Sequence, residues 1–365
     1  MQIVIWMNIP SHHQAAFFHA LRQAGVDLLV RYYDEALLDE RRTQGWLQND
    51  LPEGEAFVAP DLSVLSTISD YKERIHIVPG YGALFLRQLA ALLSREAVEW
   101  VHWSECSRSG ARWFLGYPRK RWYGHLVARH ALGAFAQGVL AKTDFARWGI
   151  PLERIAFLPY VVNAGDRDLK TAPECLDFLG GRKAFLYIGT LCHRKATDVF
   201  LKAFATIYED ERAEWCLLLV GKDSAQGRYQ ELARALGLTG SAFFMNAVSS
   251  GSVFSILKSA KVLVLPSRFD GWGVVLNEGA SMELGLIGSE KAGSSHHLIH
   301  PTENGFRVRA GSVDSLRSAL LAYIRAPGLA EKHGEASLTI SEQFTPERNV
   351  QRFVAAVESW RAMKL

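Results

Sequence analysis

Two carboxylates flank a glycine-rich segment in the second half of this 365-residue chain. Asp270 precedes Gly271-Trp272-Gly273, and Glu278 follows eight positions after Asp270. An apolar strand, Lys261–Leu265, is predicted to end before this segment, and a helix to begin near Val274. Free backbone N–H groups at a helix start favour an anion, whereas carboxylates repel phosphate and accept hydrogen bonds from hydroxyls. The segment therefore predicts a ligand that carries both phosphate and hydroxyl groups, such as a nucleotide sugar.

A basic pair supplies the positive charge that such a phosphate needs. Arg194 and Lys195 follow a predicted strand end at Gly189 and Thr190, and they stand just before a predicted helix. Arginine offers a planar fork to phosphate oxygens, and lysine offers a point charge. Cations are unfavourable at a helix start unless an anion joins them, which favours a binding role over two solvated charges.

Strands and helices alternate along the chain and would position these groups. Gln2–Met7, a helix at Gln14–Ala24 and Val26–Tyr32 open the chain as a βαβ unit, which predicts a parallel sheet. A last helix is predicted to begin with Thr345 as its cap and Pro346 in its first turn. Further strands are predicted at Ile75–Val78, Trp100–Trp103, Gly138–Ala141, Arg154–Pro159, Ala184–Ile188, Cys216–Val220 and Ala242–Met245.

Composition predicts a globular protein of two domains, at about 150 residues per domain. The chain is 48% hydrophobic and 22% charged, and its net charge of +3 gives no indication of a nucleic-acid partner. Its four cysteines show no CxxC spacing, and His12-His13 is an adjacent pair without metal-ligand spacing. We therefore expect reduced thiols, no metal site and no cofactor.

The chain shows no membrane-spanning or leader pattern. No apolar run reaches the roughly 18 residues of a spanning helix, and the first ten residues are typical of a strand rather than of a signal peptide. We expect a cytoplasmic protein.

The segment 266–279 (PSRFDGWGVVLNEG) resembles the donor-site motif of retaining glycosyltransferases with the GT-B fold, family 4, the glycogen-synthase-like group 1. That motif is a carboxylate, glycine–aromatic–glycine, and a glutamate eight positions after the first carboxylate. Asp270 stands here where glutamate is usual. The similarity covers about residues 139–308, including YIGTLCHRKATDVFLKAF at 187–204, and departs at 285–288, where GLIG replaces the usual Pro-Val.

The resemblance implies an α/β protein with the GT-B fold, in which two Rossmann-like domains face a central cleft. We expect an N-terminal acceptor-binding domain at 1–162, a C-terminal nucleotide-sugar-binding domain at 163–344, and a C-terminal helix, 345–365, that crosses back to the first domain. The implied activity is metal-independent, retaining transfer of a sugar from a nucleoside-diphosphate sugar to an acceptor hydroxyl. The implied acceptor is a glycan or lipid-linked molecule of cell-envelope polysaccharide or lipopolysaccharide synthesis.

The resemblance also implies roles for residues of the second domain. Arg194 and Lys195 would neutralise the diphosphate, Asp270 would contact the transferred sugar, and Glu278 would contact the ribose. Trp272 is either a wall of the donor pocket or a core residue. The other donor-binding residues expected are Gly189, Thr190, Ser249, Gly271, Gly273 and Asn277, of which Ser249 lies in the loop that holds the nucleobase in the family.

Acceptor-side residues are expected at the strand ends of the first domain. Ser104 stands where the family often has a histidine, and Glu105 follows it. Glu105 would accept hydrogen bonds from the acceptor or support the developing cation, or it would cap the next segment. His12 and His13 would orient an acceptor phosphate.

Between Cys106 and Thr143 the chain has seven Lys or Arg residues, interleaved aromatic residues and no acidic residue. This pattern, concentrated in Arg108–Arg129, predicts contact with an anionic membrane at its inner face or with a phosphorylated acceptor. RNA is a third partner with this chemistry, and a solvated face with inward aromatic rings is the structural alternative.

Two other functions stay open from the sequence: a nucleotide-sugar epimerase, and a non-catalytic nucleotide-sugar-binding partner. Donor turnover separates them, because a transferase releases nucleoside diphosphate only with an acceptor and an epimerase isomerises the donor alone.

Overall fold

The computed structural model describes residues 1–34, 51–107, 116–163 and 170–363. The chain divides into two compact units. Unit 1 comprises Met1–Val162 and Pro346–Leu365, and unit 2 comprises Asn163–Thr345.

Unit 1 is built on a seven-stranded parallel sheet. Its strands are β1 (Gln2–Met7), β2 (Asp27–Tyr32), β3 (Glu55–Phe57), β4 (Ile75–Val78), β5 (Trp100–Ser104), β6 (Gly133–Ala136) and β7 (Ile155–Phe157). They lie in the order β3-β2-β1-β4-β5-β6-β7. Because β1 pairs with β2 on one side and β4 on the other, the strand order reverses between β1 and β4. Such a reversal is where ligands bind in open parallel sheets, beyond the carboxyl ends of the strands.

The helices of unit 1 are α1 (His12–Gln23), α2 (Leu84–Arg95), α3 (Tyr117–His130), α4 (Val139–Trp148) and the C-terminal helix Pro346–Ala362. The C-terminal helix packs its apolar stripe on this unit. The ring of Phe353 stacks on Phe135 at 5.0 Å, and Asn349 Nδ2 donates to Pro159 O at 2.7 Å. Gly133 is required under this helix, because an added Cβ would lie 2.4 Å from Trp360.

The strand predicted at Gly138–Ala141 is wrong. β6 ends earlier, at Ala136, and Val139 begins α4. Gly138 joins them with a φ of 101°, which glycine adopts without steric cost. Three apolar residues in sequence fit the first turn of a helix as well as a short strand, so the pattern alone did not separate the two.

Unit 2 is built on a second parallel sheet, of six strands. They are β8 (Lys183–Ile188), β9 (Trp215–Val220), β10 (Ala242–Met245), β11 (Val262–Leu265), β12 (Gly285–Ser289) and β13 (Gly305–Val308). Their order, β10-β9-β8-β11-β12-β13, is that of a Rossmann fold and reverses between β8 and β11. The segment 285–288, which departs from the family pattern, forms the buried strand β12.

The helices of unit 2 are α5 (Pro173–Leu179), α6 (Thr197–Ala205), α7 (Arg228–Ala235), α8 (Val253–Leu257), α9 (Val275–Ser281), α10 (Ser295–Leu298), α11 (Val313–Arg325) and α12 (Leu329–Ser341). The apolar face of α6 is buried in the core of this unit, where Phe200, Ala203 and Phe204 have no solvent exposure. β8 pairs with β11 at Phe185–Val262 and Leu186–Leu263, before both strands end. Two loops therefore leave neighbouring strands at the point of reversal.

Candidate functional site

The loops that follow β8 and β11 meet at the point of strand reversal in unit 2. Arg268 N donates to Arg194 O at 2.8 Å, and Arg194 Nη1 donates to Phe269 O at 3.2 Å. The basic pair and the Asp270 segment, predicted separately from sequence positions 75 residues apart, are thus in direct contact.

Arg194, Lys195 and Asp270 form one charge cluster. Lys195 Nζ lies 2.5 Å from Asp270 Oδ2, and Arg194 Nη1 lies 3.9 Å from Asp270 Oδ1. The Arg194 side chain is 41% exposed, whereas those of Lys195 and Asp270 are 15% and 13% exposed. Two cations share one carboxylate, so these three side chains carry a charge of +1. This cluster has the charge and the accessible guanidinium that an anionic ligand requires.

Arg268 joins the loops that follow β8 and β11, a role that the sequence did not predict. Its guanidinium binds both carboxylate oxygens of Asp198 at 2.7 and 2.8 Å, and Nη1 also donates to His193 O at 2.7 Å. Burial opposes ionisation of Asp198, but the Arg268 hydrogen bonds and charge outweigh it and hold the pKa of Asp198 below its usual range. Asp198 lies in the first turn of α6, where an acid is ordinary, so its sequence position gave no signal.

The backbone around Asp270 is fixed by residues 291–294. Asp270 N donates to Lys291 O at 3.0 Å, and Ser294 Oγ donates to Gly273 O at 3.0 Å. Gly273 has a φ of 89°, and an added Cβ at Gly293 would lie 2.3 Å from the carbonyl oxygen of Gly271. The glycines thus permit a tight loop supported by the segment that follows β12, and they bring backbone to the charge cluster.

Trp272 lies in the core rather than on the surface of this loop. Its side chain has no solvent exposure, its Nε1 donates to Asn277 Oδ1 at 2.8 Å, and its ring stacks on His297 at 5.7 Å. Of the two roles open from the sequence, core packing is the one observed for Trp272. Asn277 is 2% exposed and holds the indole, so both side chains support the loop from behind.

Glu278 is a buried carboxyl in α9. The residue is 6% exposed, and burial raises its pKa from 4.5 to about 7. Loss of water disfavours the charged form, so this group titrates near neutral pH. Its predicted contact with a ribose remains a prediction.

Three further predicted donor residues lie at strand ends of unit 2. Gly189 follows β8, and an added Cβ there would lie 3.8 Å from Lys195 Cε, which places this backbone beside the basic pair. Thr190 O accepts a hydrogen bond from Tyr187 Oη at 2.7 Å. Ser249 lies in the loop after β10, with its Oγ 3.0 Å from Ser252 Oγ. That loop borders a cavity of about 930 Å³, whose lining includes Met245, Val248 and Ser252.

A second cavity, the unit 1 pocket, lies at the point of strand reversal in the other sheet. It has a volume of about 470 Å³ and is lined by residues after the carboxyl ends of β1, β4, β5 and β6. Ser104 and Glu105, both predicted on the acceptor side, line it. Residues at the other three strand ends that line it include Asn8, Gly80 and Gln137.

Ser104 is hydrogen-bonded to a buried histidine. Its Oγ lies 2.9 Å from Nε2 of His102, whose Nδ1 lies 3.3 Å from Tyr123 Oη. Tyr123 Oη in turn donates to Gly80 O at 3.2 Å. Burial lowers the pKa of His102 to about 3, so its ring is neutral at physiological pH.

Ser107 at the pocket wall is held by two buried charged side chains, Lys120 and Asp144. Lys120 Nζ donates to Ser107 Oγ at 2.6 Å, and Ser107 N donates to Asp144 Oδ2 at 2.8 Å. Lys120 and Asp144 are 4% and 5% exposed, and burial lowers the pKa of Lys120.

The basic, aromatic stretch is divided between interior and surface. Lys120 and Tyr123 face inward, whereas Arg119, Trp122 and Arg129 of α3 are exposed. Arg108 and Arg112 lie outside the described residues.

The two histidines predicted to orient an acceptor phosphate open α1. His13 is half-buried, and the His12 side chain lies outside the described part of the structure.

Within the described ranges, no three His, Cys, Asp or Glu side chains gather as a metal would require. The four cysteines are free thiols. Across those same ranges, no helix is both long and apolar enough to cross a membrane.

Comparison with known proteins agrees with this geometry. The family model for glycosyl transferases group 1 matches residues 172–339, which contain both loops of the charge cluster. The alpha-D-kanosaminyltransferase of Streptomyces kanamyceticus is 25% identical over 60% of this chain and 58% of its own length. An uncharacterized glycosyltransferase of Haemophilus influenzae is 23% identical over 47% of this chain and 48% of its own length. The chain thus spans about half the length of the curated relatives that it matches.

Solved structures match almost the whole chain. Anabaena HepE in complex with UDP has a TM-score of 0.77 at 15% identity, covering 98% of this chain and 100% of that one. The lipopolysaccharide outer core galactosyltransferase WaaB has a TM-score of 0.71 at 18% identity, covering 98% and 99%. These likenesses and the two parallel sheets confirm the predicted α/β, GT-B fold class. Residues 172–339 of this chain thus match the family model for glycosyl transferases group 1.

Proposed function

We propose that this protein is a metal-independent, retaining glycosyltransferase that moves a sugar from a nucleoside-diphosphate sugar to an acceptor hydroxyl. The observation that carries the proposal is the cluster of Arg194, Lys195 and Asp270 at the strand reversal of a group 1 domain. Retention and assignment to family 4 rest on the resemblance of the motif at 266–279 to the donor-site motif of that family.

The basic pair would stabilise the departing diphosphate. Positive charge grows on the anomeric carbon as the bond breaks, and negative charge grows on the leaving phosphate. Cations already held in place stabilise that charge without reorganising during the reaction. Arg194 is exposed enough to reach a phosphate, and Lys195 lies against the backbone of Gly189.

Asp270 would exchange partners when the donor binds. Its Oδ2 contacts Lys195 Nζ at 2.5 Å. A diphosphate competes for the same ammonium and carries more charge, so it displaces the carboxylate. Freed Asp270 then accepts hydrogen bonds from hydroxyls of the transferred sugar. A proton from the acceptor hydroxyl would pass to the leaving phosphate.

Related proteins support a nucleoside-diphosphate sugar as the donor and cell-envelope glycan synthesis as the pathway. HepE has been solved with UDP and with UDP-glucose, and WaaB is a lipopolysaccharide galactosyltransferase. We therefore place this protein in cell-envelope glycan synthesis in the cytoplasm, at the inner face of the membrane. The exposed Arg119, Trp122 and Arg129 of α3 supply the basic and aromatic groups for that membrane contact. The cavity beside Val248 offers room for the nucleobase.

Nucleotide binding and donor turnover test the proposal together. Melting temperature measured with UDP, GDP, ADP and dTDP should rise for at least one of them, since a ligand at 100 times its Kd stabilises by about 2.7 kcal/mol. The monophosphate of the same base should give a smaller rise, because it offers the basic pair fewer charges, and chelation of metals should change neither result.

Turnover of the donor identified in this way separates the alternatives. With a lipid-linked or glycan acceptor fraction, the transferase releases nucleoside diphosphate in proportion to the acceptor. Isomerisation of the donor without acceptor would identify an epimerase, and binding without either reaction would identify a non-catalytic partner. Either outcome would overturn the proposed activity.

A further inference from the structure

Gln137 places a buried acceptor without a hydrogen-bond partner at the unit 1 pocket. The residue follows β6, is 3% exposed and lines the pocket. Its Oε1 has no hydrogen-bond partner within the described structure. Buried polar atoms are nearly always satisfied, and an exception beside a cavity indicates a group that arrives with a ligand. The missing group must be a hydrogen-bond donor.

Ser104, beside Gln137, also offers an acceptor to the pocket. Gln137 N donates to Ser104 O at 3.2 Å, so the two residues are neighbours across β5 and β6. The one proton of Tyr123 Oη is donated to Gly80 O, so His102 Nδ1 carries the ring proton and His102 Nε2 accepts.

The hydroxyl proton of Ser104 is used inside the protein. It is directed to Nε2 of His102 at 2.9 Å and to the carbonyl oxygen of Glu105 at 3.1 Å. Ser104 Oγ can therefore interact with a ligand only through its lone pairs, as a hydrogen-bond acceptor. Because His102 is buried behind Ser104 and is neutral at physiological pH, the Ser104 hydroxyl continues to donate to Nε2 of His102 at that pH.

Glu105, an acidic residue, lines the same pocket. Oxygens that only accept are complementary to hydroxyl groups, which donate, and they are unfavourable beside phosphate, which is an anionic acceptor. The pocket volume of about 470 Å³ lies within the range of small-molecule sites.

We propose that the unit 1 pocket binds a neutral polyhydroxyl group and that Gln137, with Ser104, selects hydroxyls over phosphate at this position. This inference rests on the proposed function only where it identifies the group with the sugar acceptor. It assigns a ligand-binding role to Gln137, which no sequence pattern singled out.

The test is direct binding to the full chain without any nucleotide. Glucose, galactose and myo-inositol are titrated as neutral probes and glucose 6-phosphate as the charged counterpart of glucose, by ligand-observed NMR. We expect at least one neutral probe to bind at millimolar concentration and glucose to bind more tightly than glucose 6-phosphate. In Gln137→Leu the Kd of the bound neutral probe should rise about tenfold, which is the loss of one good hydrogen bond.

A matched variant and a stability measurement distinguish loss of a ligand contact from misfolding. Gln351→Leu makes the same chemical change on an exposed face of the C-terminal helix and should leave sugar binding unchanged. Gln137→Leu removes a buried unpartnered oxygen, so its melting temperature should be equal to or above that of the wild type. A lower melting temperature would show that Gln137 is structural and would overturn its role.

Other outcomes also overturn the inference: tighter binding of glucose 6-phosphate than of glucose, unchanged sugar affinity in Gln137→Leu, or no binding of any neutral probe up to roughly 100 mM. The assay contains no nucleotide, so it is separate from the proposed donor chemistry. Sugar binding without nucleotide binding would leave this inference standing and remove the transferase proposal, and the reverse result would do the opposite.

Discussion

Replacing Arg194 and Lys195 together by alanine should lower donor turnover by about 10²–10⁴-fold. Each side chain is expected to contribute a charge-assisted contact to the diphosphate, at about 1.5–3 kcal/mol each. The loss should fall mainly on kcat, because the diphosphate gains charge in the transition state. Steady-state kinetics with saturating donor measure this effect.

The matched control removes one arginine and one lysine elsewhere in unit 2. Lys202 and Arg234 are exposed in the last turns of α6 and α7, so they lie toward the sheet edge opposite the loops after β8 and β11. The Lys202→Ala/Arg234→Ala variant has the same net charge as the test variant and should keep its turnover within about twofold. If the two double variants behave alike, Arg194 and Lys195 have no special part in the reaction.

Glu278 should make the protein less stable as pH rises from about 4.5 to about 7. Its pKa is 4.5 in the unfolded chain and about 7 in the folded protein, because burial disfavours the carboxylate. Between these values the folded state binds more protons than the unfolded state, so the free energy of unfolding falls with pH and is constant again above the folded pKa. The full change is about 3 kcal/mol at 1.36 kcal/mol per pKa unit.

Urea unfolding of the wild type and Glu278→Gln between pH 4.5 and 8.5 measures this contribution. The glutamine variant should lack this part of the pH dependence, and its advantage over the wild type should grow through this range of pH. Glu231→Gln, an exposed position in α7, controls for loss of a charge and should follow the wild type. Parallel curves for the wild type and Glu278→Gln would show that Glu278 does not titrate as its burial implies.

The sequence was sufficient to predict the two loops of the charge cluster but not how they are joined. Arg194, Lys195 and Asp270 stand after predicted strands, and the carboxyl ends of parallel strands share one edge, so their meeting followed from the pattern. Arg268 and Asp198 gave no signal because their pairing is a tertiary contact between residues 70 positions apart. An acid in the first turn of a helix has an ordinary local explanation and hides such a pairing.

Local sequence patterns also did not predict which side chains near the two sites are buried. Glycines around Trp272 indicated close backbone approach, but only the position of Asn277 shows that the indole is held in the core. Gln137 directly follows β6 and sits one residue before the wrongly predicted strand at Gly138–Ala141. Because the sequence pattern predicted the strand at Gly138–Ala141, it did not indicate that Gln137 lies at the carboxyl end of a strand.

A crystal structure of the protein bound to the nucleoside diphosphate that stabilises it most tests the central claim directly. We predict phosphate oxygens within about 2.7–3.0 Å of both Arg194 and Lys195, with the contact between Lys195 and Asp270 broken. A nucleotide bound elsewhere, or bound while Lys195 still contacts Asp270 and Arg194 points to solvent, would contradict the account.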